Sequence, residues 1–268
     1  MPGQSQRAGA LVISLDFELA WGVHDSLGSD GGYRDNLLGA REVIPRMLDL
    51  FREYEVEATW ATVGLLFAAS AEEREQFEAD LDAAQAIAEH HGFSLQSLVI
   101  PRHQVRADYA PAIRRAGFRQ HRTNEKNWIS RPTASGKSPL PVRAVRLANS
   151  YSRITRSERV PWKDTQPDEH GLVDIRESFF LRPYSPTLGA LNELRVKRII
   201  NAMRLAARSR SIFHLWWHPH NFGVNQQQNL DDLEVLLEEY ARLRQSLGFR
   251  SYSMKNVGQM AHALRSAT

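Results

Sequence analysis

Short apolar runs alternate with longer segments of helical periodicity along most of the chain. Apolar runs bounded by polar or turn residues predict buried strands at residues 11–15, 57–63, 98–100, 118–122, 211–217 and 249–252. Apolar positions at helical spacing predict helices at residues 37–54, 71–91, 108–116, 194–208, 230–247 and 255–264. Because strands that alternate with helices are typical of βαβ units, we expect a parallel sheet.

Residues 127–172 depart from this pattern, since they are rich in Pro, Ser and Arg and only weakly periodic. They predict a long irregular excursion with one short helix. Elsewhere, polar side chains collect directly after strands: Asp16 and Glu18 after the first, Arg102 after the third and His218 after the fifth. The carboxyl ends of the strands carry the catalytic groups of a β/α barrel, and an open doubly wound sheet places its site at the same edge. The sequence has no glycine-rich phosphate loop of standard spacing, which argues against nucleotide binding.

The composition is that of an ordinary globular protein. The 268 residues are 42% hydrophobic and 24% charged, which is enough for one domain spanning residues 1–268. Arginine makes up 29 of the 34 basic residues, but the arginines are scattered, so a nucleic-acid partner is not expected. The absence of cysteine excludes disulfides and cysteine nucleophiles. With neither a secretory signal nor a membrane-spanning stretch in the sequence, we expect a cytoplasmic protein.

Asp16 and Glu18 form the first candidate site. Residues two apart on a strand point to the same face of the sheet, so both carboxylates should lie side by side at the strand end. Such a pair can bind a metal ion or divide the roles of general acid and base. A purely structural pair, which caps a neighbouring helix or binds an arginine, is an equally good interpretation.

The second candidate site lies in residues 213–221, which hold three histidines and two tryptophans. In a regular strand, His214, Trp216 and His218 share one face. Imidazole can ligate a metal or protonate a leaving group near neutral pH, and indole rings offer flat apolar faces to sugar rings. The alternative is a buried strand whose histidines are satisfied by hydrogen bonds, and for His214 and His220 this alternative is the stronger interpretation.

Arg102 is a third candidate, because it follows an apolar strand and a proline. An arginine at this position could hold a catalytic carboxylate through two parallel hydrogen bonds. It could equally be an exposed loop residue. His90 and His91 are adjacent on a predicted helix, where neighbouring side chains diverge by about 100°, so we interpret them as surface residues.

Taken in order, these segments resemble the polysaccharide deacetylase family, also known as the NodB-homology fold. The segments that carry the resemblance are Ser-Leu-Asp-Phe-Glu at 14–18, Ala-Thr-Trp-Ala-Thr-Val-Gly at 58–64, Leu-Val-Ile-Pro-Arg-His-Gln at 98–104, Ala-Gly-Phe at 116–118, Phe-Phe-Leu-Arg-Pro at 179–183 and His-Leu-Trp-Trp-His-Pro-His-Asn at 214–221. Each motif is modest alone, but their order and spacing from residue 11 to residue 264 are fairly specific.

The resemblance implies a deformed (β/α) barrel, a divalent metal that is usually zinc, and the hydrolytic removal of N-acetyl groups from amino sugars. By position, Asp16 would be the general base and a metal ligand, and Glu18 a further metal ligand. Arg102 would orient Asp16, and His218 would protonate the departing amine. The family's commonest motif has adjacent acidic residues, whereas Phe17 stands between them here, which leaves the division between Asp16 and Glu18 open.

The expected partner is a carbohydrate that carries N-acetylated amino sugars. The candidate substrate-binding residues are the aromatic side chains near the motifs and one arginine of the 179–183 block: Trp21, Trp60, Trp216, Trp217 and Arg182.

One part of the family pattern is missing. The family carries a His-x-x-x-His metal motif between its second and third strands, but here that interval holds only His90 and His91, at the wrong spacing. We therefore expect a barrel that is incomplete by one βα unit, with a gap or an exposed strand edge. A working metal site would need a substitute nitrogen ligand, and the candidates are His214, His218 and His220.

Two other functions remain open. A catalytically inactive relative could bind glycans through its tryptophans. A metal-free glycoside hydrolase could use Asp16 and Glu18 as its carboxylate pair, although glycosidase carboxylates normally stand farther apart than two strand neighbours.

Overall fold

The computed structural model describes residues 7–18, 33–62, 71–99, 109–124, 140–151 and 159–265. These segments contain eight strands: β1 (Ala10–Phe17), β2 (Ala58–Thr62), β3 (Ser97–Val99), β4 (Gln120–Arg122), β5 (Val173–Asp174), β6 (Phe179–Phe180), β7 (Ile212–Trp217) and β8 (Arg250–Ser251). They also contain seven α-helices: α1 (Arg34–Glu53), α2 (Ala71–His90), α3 (Ala110–Arg115), α4 (Leu140–Tyr151), α5 (Leu191–Arg208), α6 (Gln226–Leu247) and α7 (Met254–Arg265). Short 3₁₀ turns at Trp162–Asp164, Pro186–Leu188 and Pro219–Phe222 complete the order.

The predicted alternation of strands and helices is confirmed, with element ends that shift by a few residues. The excursion at 127–172 contains α4, the one helix expected there. The sequence pattern did not predict β5 and β6, because each strand has only two residues, too few to show a period. Gly92 ends α2 with a φ of 78°, the left-handed conformation expected of a glycine C-cap.

The strands form two parallel sheets. In the first sheet, β1 lies between β2 and β7, and β6 pairs with the far side of β7. β8 pairs with the start of β1 through Ala10 and Leu11. The second sheet has the order β3-β4-β5. All these strand pairs are parallel, so the carboxyl ends of the strands in each sheet meet at one edge.

One chain segment connects the two sheets. The amides of Val173, Ile175 and Glu177 donate to carbonyls of the β4 region at 2.9–3.0 Å. The amides of Ser178 and Leu181 donate to carbonyls of β7, both at 2.8 Å. Residues 173–181 therefore continue the hydrogen-bonded array from β4 to β7, in the manner of a barrel wall. Among the described residues, no strand pairing joins β2 to β3, the place where the missing βα unit was expected.

Alternation along β1 separates an inner face from an outer face. Leu11, Ile13 and Leu15 belong to the core between the sheet and helices α1, α5 and α6. Ala10 and Val12 face the other side, where they pack with Val257 and other residues of α7. Ser14 and Asp16 follow on the same face as Ala10 and Val12, which is the inner face, and they are also buried. Apolar packing therefore surrounds the buried polar positions at the carboxyl end of β1.

The result is a mixed α/β fold built on parallel sheets. No helix in the described segments is both long and apolar enough to cross a bilayer.

Candidate active site

Asp16 is fixed by an arginine from the second sheet. Both terminal nitrogens of Arg122 donate to the Asp16 carboxylate, Nη1 to Oδ1 at 2.8 Å and Nη2 to Oδ2 at 2.6 Å. The Arg122 side chain is fully buried, and that of Asp16 is 6% exposed. Two parallel charge-assisted hydrogen bonds fix both the position and the plane of a carboxylate. The carboxyl end of β1 thus presents one carboxylate in a set orientation.

A directed chain of hydrogen bonds extends from this pair into the interior. Nδ1 of His214 lies 3.2 Å from the carbonyl oxygen of Ile175, which can only accept, so Nδ1 carries the proton. Burial and the nearby charge of Arg122 lower the pKa of His214 to about 3, so the ring is neutral and Nε2 is an acceptor. Ser14 Oγ, 2.8 Å away, donates to Nε2 and in turn accepts from Arg122 Nη1 at 2.8 Å. His214 therefore supports Arg122 through Ser14, and both of its ring nitrogens are occupied.

Glu18 and His218 form the exposed half of the site. His218 Nε2 lies 3.5 Å from Glu18 Oε2, and both side chains are about one-quarter exposed. The hydrogen bond from His218 lowers the pKa of Glu18, against the opposing effect of burial. The two residues follow the ends of the neighbouring strands β1 and β7. The Glu18 carboxylate is therefore ionised and remains partly accessible to solvent.

Asp16, Glu18 and His218 could together hold a metal ion. One potential ligand atom from each residue lies within 4.8 Å of the other two. Ligand atoms bind zinc at about 2.0–2.2 Å, so small side-chain rotations would bring these three atoms onto one cation. Each Asp16 oxygen already accepts from Arg122 but keeps a further lone pair. Two carboxylates and one imidazole fit a divalent cation, and His218 is the substitute nitrogen ligand that the geometry provides.

Aromatic rings line the site on one side. The Trp216 ring lies under the guanidinium of Arg122, 4.4 Å from its central carbon, and its centroid lies 5.6 Å from that of His218. Phe180 packs on Trp216 with a centroid distance of 4.6 Å. The guanidinium of Arg182 lies 5.7 Å from the centre of the Phe180 ring. Trp216, Phe180 and Arg182 thus form a continuous surface beside the three polar groups.

Trp217 and Trp60 lie on the other face of the sheet. Trp217 is fully buried and stacks on Phe222, with centroids 5.7 Å apart. Trp60 pairs in register with Leu15, an outward-facing core residue, and contacts Phe17 edge to face. Neither indole reaches the group around Asp16, because neighbouring strand residues point to opposite faces.

His220 lies close to the site but outside the metal-binding group. Its ring centroid is 5.2 Å from that of His218 and 5.4 Å from that of Tyr33. Burial is the main reason that its pKa is lowered to about 4. His220 thus packs as a neutral ring behind His218.

Trp21 and Arg102 lie outside the described residues. Arg122, which the sequence analysis did not select, has the position next to Asp16 that was expected for Arg102. One sequence feature could have identified it. Arg122 is the last residue of a predicted strand, and Asp16 and His218 each directly follow one. The carboxyl ends of parallel strands converge.

Comparison with known proteins identifies the fold. The sequence matches no family model and no curated protein. A protein assigned as a polysaccharide deacetylase from Mycobacterium smegmatis is 11% identical, with a TM-score of 0.60 over 98% of this chain and 92% of that one. The Puue allantoinase is 12% identical, with a TM-score of 0.59 over 100% of this chain and 94% of that one. A 4-alpha-glucanotransferase from Thermococcus litoralis is 10% identical, with a TM-score of 0.52, and the match covers 94% of this chain and 40% of that one. The chain therefore shares its fold with these proteins across almost its whole length.

Proposed function

We propose that this protein is a metal-dependent hydrolase that removes N-acetyl groups from the amino sugars of a polysaccharide. The observation that carries the proposal is the Asp16 carboxylate, held by Arg122 and facing Glu18 and His218 at the carboxyl ends of β1 and β7. The fold supports it, since deacetylases and allantoinases both hydrolyse C–N bonds and structures of both kinds match most of the chain.

The proposed chemistry needs a base and a proton donor for the leaving amine. Asp16 accepts a proton from the attacking water while the water oxygen bonds to the acetyl carbon. The C–N bond then breaks, and the proton held by Asp16 passes to the departing nitrogen. The products are a free amine and acetic acid, which releases its proton to solvent to give acetate, and Asp16 returns to its starting state. Arg122 contributes by keeping the carboxylate in one orientation throughout.

Asp16, Glu18 and His218 are the residues that would hold the cation. A divalent cation bound there would polarise the acetyl carbonyl and make water more acidic. We assign His218 to cation binding because its Nε2 faces Glu18 at 3.5 Å. The resemblance to deacetylases instead predicts that His218 protonates the amine. One imidazole nitrogen cannot hold a cation and donate a proton at the same time, so the two roles exclude each other.

The first experiment measures bound metal and acetate release together. Purified protein is incubated with N-acetylated chito-oligosaccharides, with and without added zinc, and with a chelator. We expect about one equivalent of metal per chain and chelator-sensitive acetate release. The variant Asp16→Asn should abolish acetate release, whereas the exposed control Asp49→Asn should leave it unchanged. No metal and no acetate under any condition would refute the proposal.

A second variant separates the two roles of His218. If His218 binds the cation, His218→Gln should lower the metal content measured by elemental analysis, independently of activity. Normal metal content with slow acetate release would instead return His218 to the role of proton donor. Glu18→Gln serves as the reference, because it should lower the metal content in either case.

The alternatives have their own results in the same assays. Ring opening of allantoin without release of acetate would favour the reaction of the allantoinase neighbour. Saturable binding of oligosaccharide with no product would indicate a glycan-binding relative. Cleavage of a glycosidic bond in the presence of chelator would indicate a glycoside hydrolase.

A further inference from the structure

A second concave site lies on the outer side of the fold, against helix α5. This groove has a volume of about 720 Å³. Leu194, Lys197, Asn201, Arg204 and Arg208 line it at intervals of three and four residues, together with Arg198, Leu205 and Tyr151 at the end of α4. Such intervals place side chains on one face of a helix. From residue 194 to residue 208, this face is about 21 Å long at 1.5 Å per residue. We call it the α5 groove.

Positive charge dominates the α5 groove. Four of its eight lining residues are Lys or Arg, and none is acidic. Two of the cations have acidic neighbours: Lys197 lies 3.1 Å from Glu193, and Arg204 binds Glu239. Glu239 also binds Arg242, so that carboxylate is shared by two arginines. The lining residues themselves therefore carry a net positive charge.

The chain that leads into and out of α4 has the same bias. Between Lys126 and Arg156 there are seven Lys or Arg residues and no Asp or Glu, although the protein as a whole has a net charge of only +3. Helix α4 belongs to this interval and packs against α5, where Arg198 of α5 donates to Asn149 of α4 at 3.2 Å. The arginines look scattered along the sequence, but within the described residues the fold packs α4, which has no acidic residue, against α5.

The α5 groove is also connected to the candidate active site. Burial lowers the pKa of Arg182, and Tyr151, which lines the groove, is near enough to oppose that shift. Arg182 lies over Phe180, and Phe180 packs against Trp216 and His218. A path of aromatic and cationic side chains thus runs from the candidate metal ligand His218 to the groove.

We propose that the substrate is an acidic polysaccharide, whose carboxylate- or phosphate-bearing sugars lie along the α5 groove while one N-acetylated sugar occupies the active site. This inference rests on the proposed function and specifies its substrate class. The groove is longer than a single sugar residue, so only a polymer would occupy both places. Asn201 and Tyr151 offer hydrogen bonds to hydroxyl groups, and the cations offer charge complementarity to acidic groups.

The test measures binding in the variant Glu18→Gln, which leaves the buried Asp16–Arg122 pair intact, so that the result does not depend on turnover. The probes are an octasaccharide of alternating N-acetylglucosamine and glucuronate, a fully phosphorylated version of the same length, and a neutral chito-octaose. Calorimetry gives the dissociation constants at several salt concentrations. We expect at least one acidic probe to bind more tightly than the neutral probe, and its advantage to shrink as added salt screens the charges.

Paired variants locate the effect. The double change Lys197→Gln with Arg208→Gln should weaken the binding of the acidic probe about five-fold or more, from the loss of two surface charge contacts, and leave the neutral probe unchanged. The matched control is Arg46→Gln with Arg52→Gln on α1, which removes two equally charged side chains elsewhere and should leave both probes unchanged. Equal binding of acidic and neutral probes, or equal losses in both double variants, would overturn the proposal.

Two further arms test other polyanions. Single-stranded DNA and vesicles rich in phosphatidylglycerol are compared with the octasaccharides in the same variants. Tighter binding of DNA or vesicles, lost only in the α5 groove variant, would reject the polysaccharide assignment in favour of that ligand. Selective binding of acidic octasaccharide without acetate release from any substrate by the unmodified protein would sustain the groove and refute the deacetylase. Acetate release by a protein that binds acidic and neutral octasaccharides equally would support the deacetylase and refute the role of the α5 groove.

Discussion

Arg122 of β4 and Asp16 of β1 join the two sheets through a buried pair of hydrogen bonds at 2.8 and 2.6 Å. No strand pairing between β2 and β3 is present in the described segments, although the two strands lie close together. The ion pair therefore links the two sheets through side chains that cross the interior. The pair therefore has two consequences. It fixes the carboxylate that the proposed reaction needs, and it holds the second sheet against the first.

Removing Arg122 should damage both stability and activity. Arg122→Met leaves the Asp16 carboxylate buried without its partner, a change that typically costs about 3–5 kcal/mol. Arg122→Lys keeps the charge but loses the two-pronged geometry, so it should restore part of the stability and little of the activity. Urea unfolding and acetate release measure the two effects.

The exposed Arg52 provides the control for this prediction. It pairs with Asp49 on the surface of α1, and exposed pairs contribute about 0–1 kcal/mol. Arg52→Met should therefore leave both measurements nearly unchanged. An unfolding free energy for Arg122→Met equal to that of the unmodified protein would contradict the structural role of the pair.

The buried His214 should make the protein sensitive to acid. Its pKa is about 3 in the folded protein and about 6.5 in an unfolded chain. The unfolded state therefore binds more protons as the pH falls, and stability that is fully present above pH 6.5 is lost progressively towards pH 3. The expected loss is on the order of a few kcal/mol. Urea unfolding at a series of pH values measures it.

His214→Gln tests the origin of this acid sensitivity. Glutamine can still donate and accept hydrogen bonds but does not titrate, so the variant should unfold with a shallower pH dependence between pH 6.5 and pH 3. The variant His91→Gln, which removes an exposed histidine, serves as the control. It should leave the slope of stability against pH unchanged. If His214→Gln and the unmodified protein have the same slope, other groups cause the acid sensitivity.

Periodicity predicted the fold more completely than it predicted the site. Buried strands such as β1 and β7 were visible because they are eight and six residues long and mostly apolar. The strands β5 and β6 were not, since backbone hydrogen bonds to β4 and β7, rather than a side-chain pattern, define them. The convergence of Asp16, Glu18 and His218 followed from their strand ends. The partnership of Asp16 with Arg122 did not, because β4 belongs to the other sheet and the sequence pattern does not show how the two sheets face each other.

Trp216 and Trp217 should respond differently to the same substitution. Trp216 lines the candidate site beside Arg122, whereas Trp217 is buried in the opposite core. Trp216→Leu removes the cation–π contact and the ring that we propose binds the sugar, and should weaken oligosaccharide binding more than folding. Trp217→Leu should cost about 2–4 kcal/mol of stability and leave the dissociation constant of the folded protein unchanged. Calorimetry and urea unfolding on both variants measure the difference, and equal effects on binding would count against this arrangement of the site.

Gly39 of α1 should not tolerate alanine, although alanine normally favours a helix. Gly→Ala inside a helix stabilises by about 0.5–1 kcal/mol through propensity alone. A Cβ atom on Gly39 would, however, lie 2.0 Å from the carbonyl oxygen of Gly223 and 2.7 Å from its carbonyl carbon. The backbone contact would have to open, and it holds α1 against the turn that follows His218. We therefore expect Gly39→Ala to lower the free energy of unfolding and to lower metal content with it, because His218 would be displaced. Increased stability in urea unfolding would show that α1 and the turn are not in backbone contact, since the two effects have opposite signs.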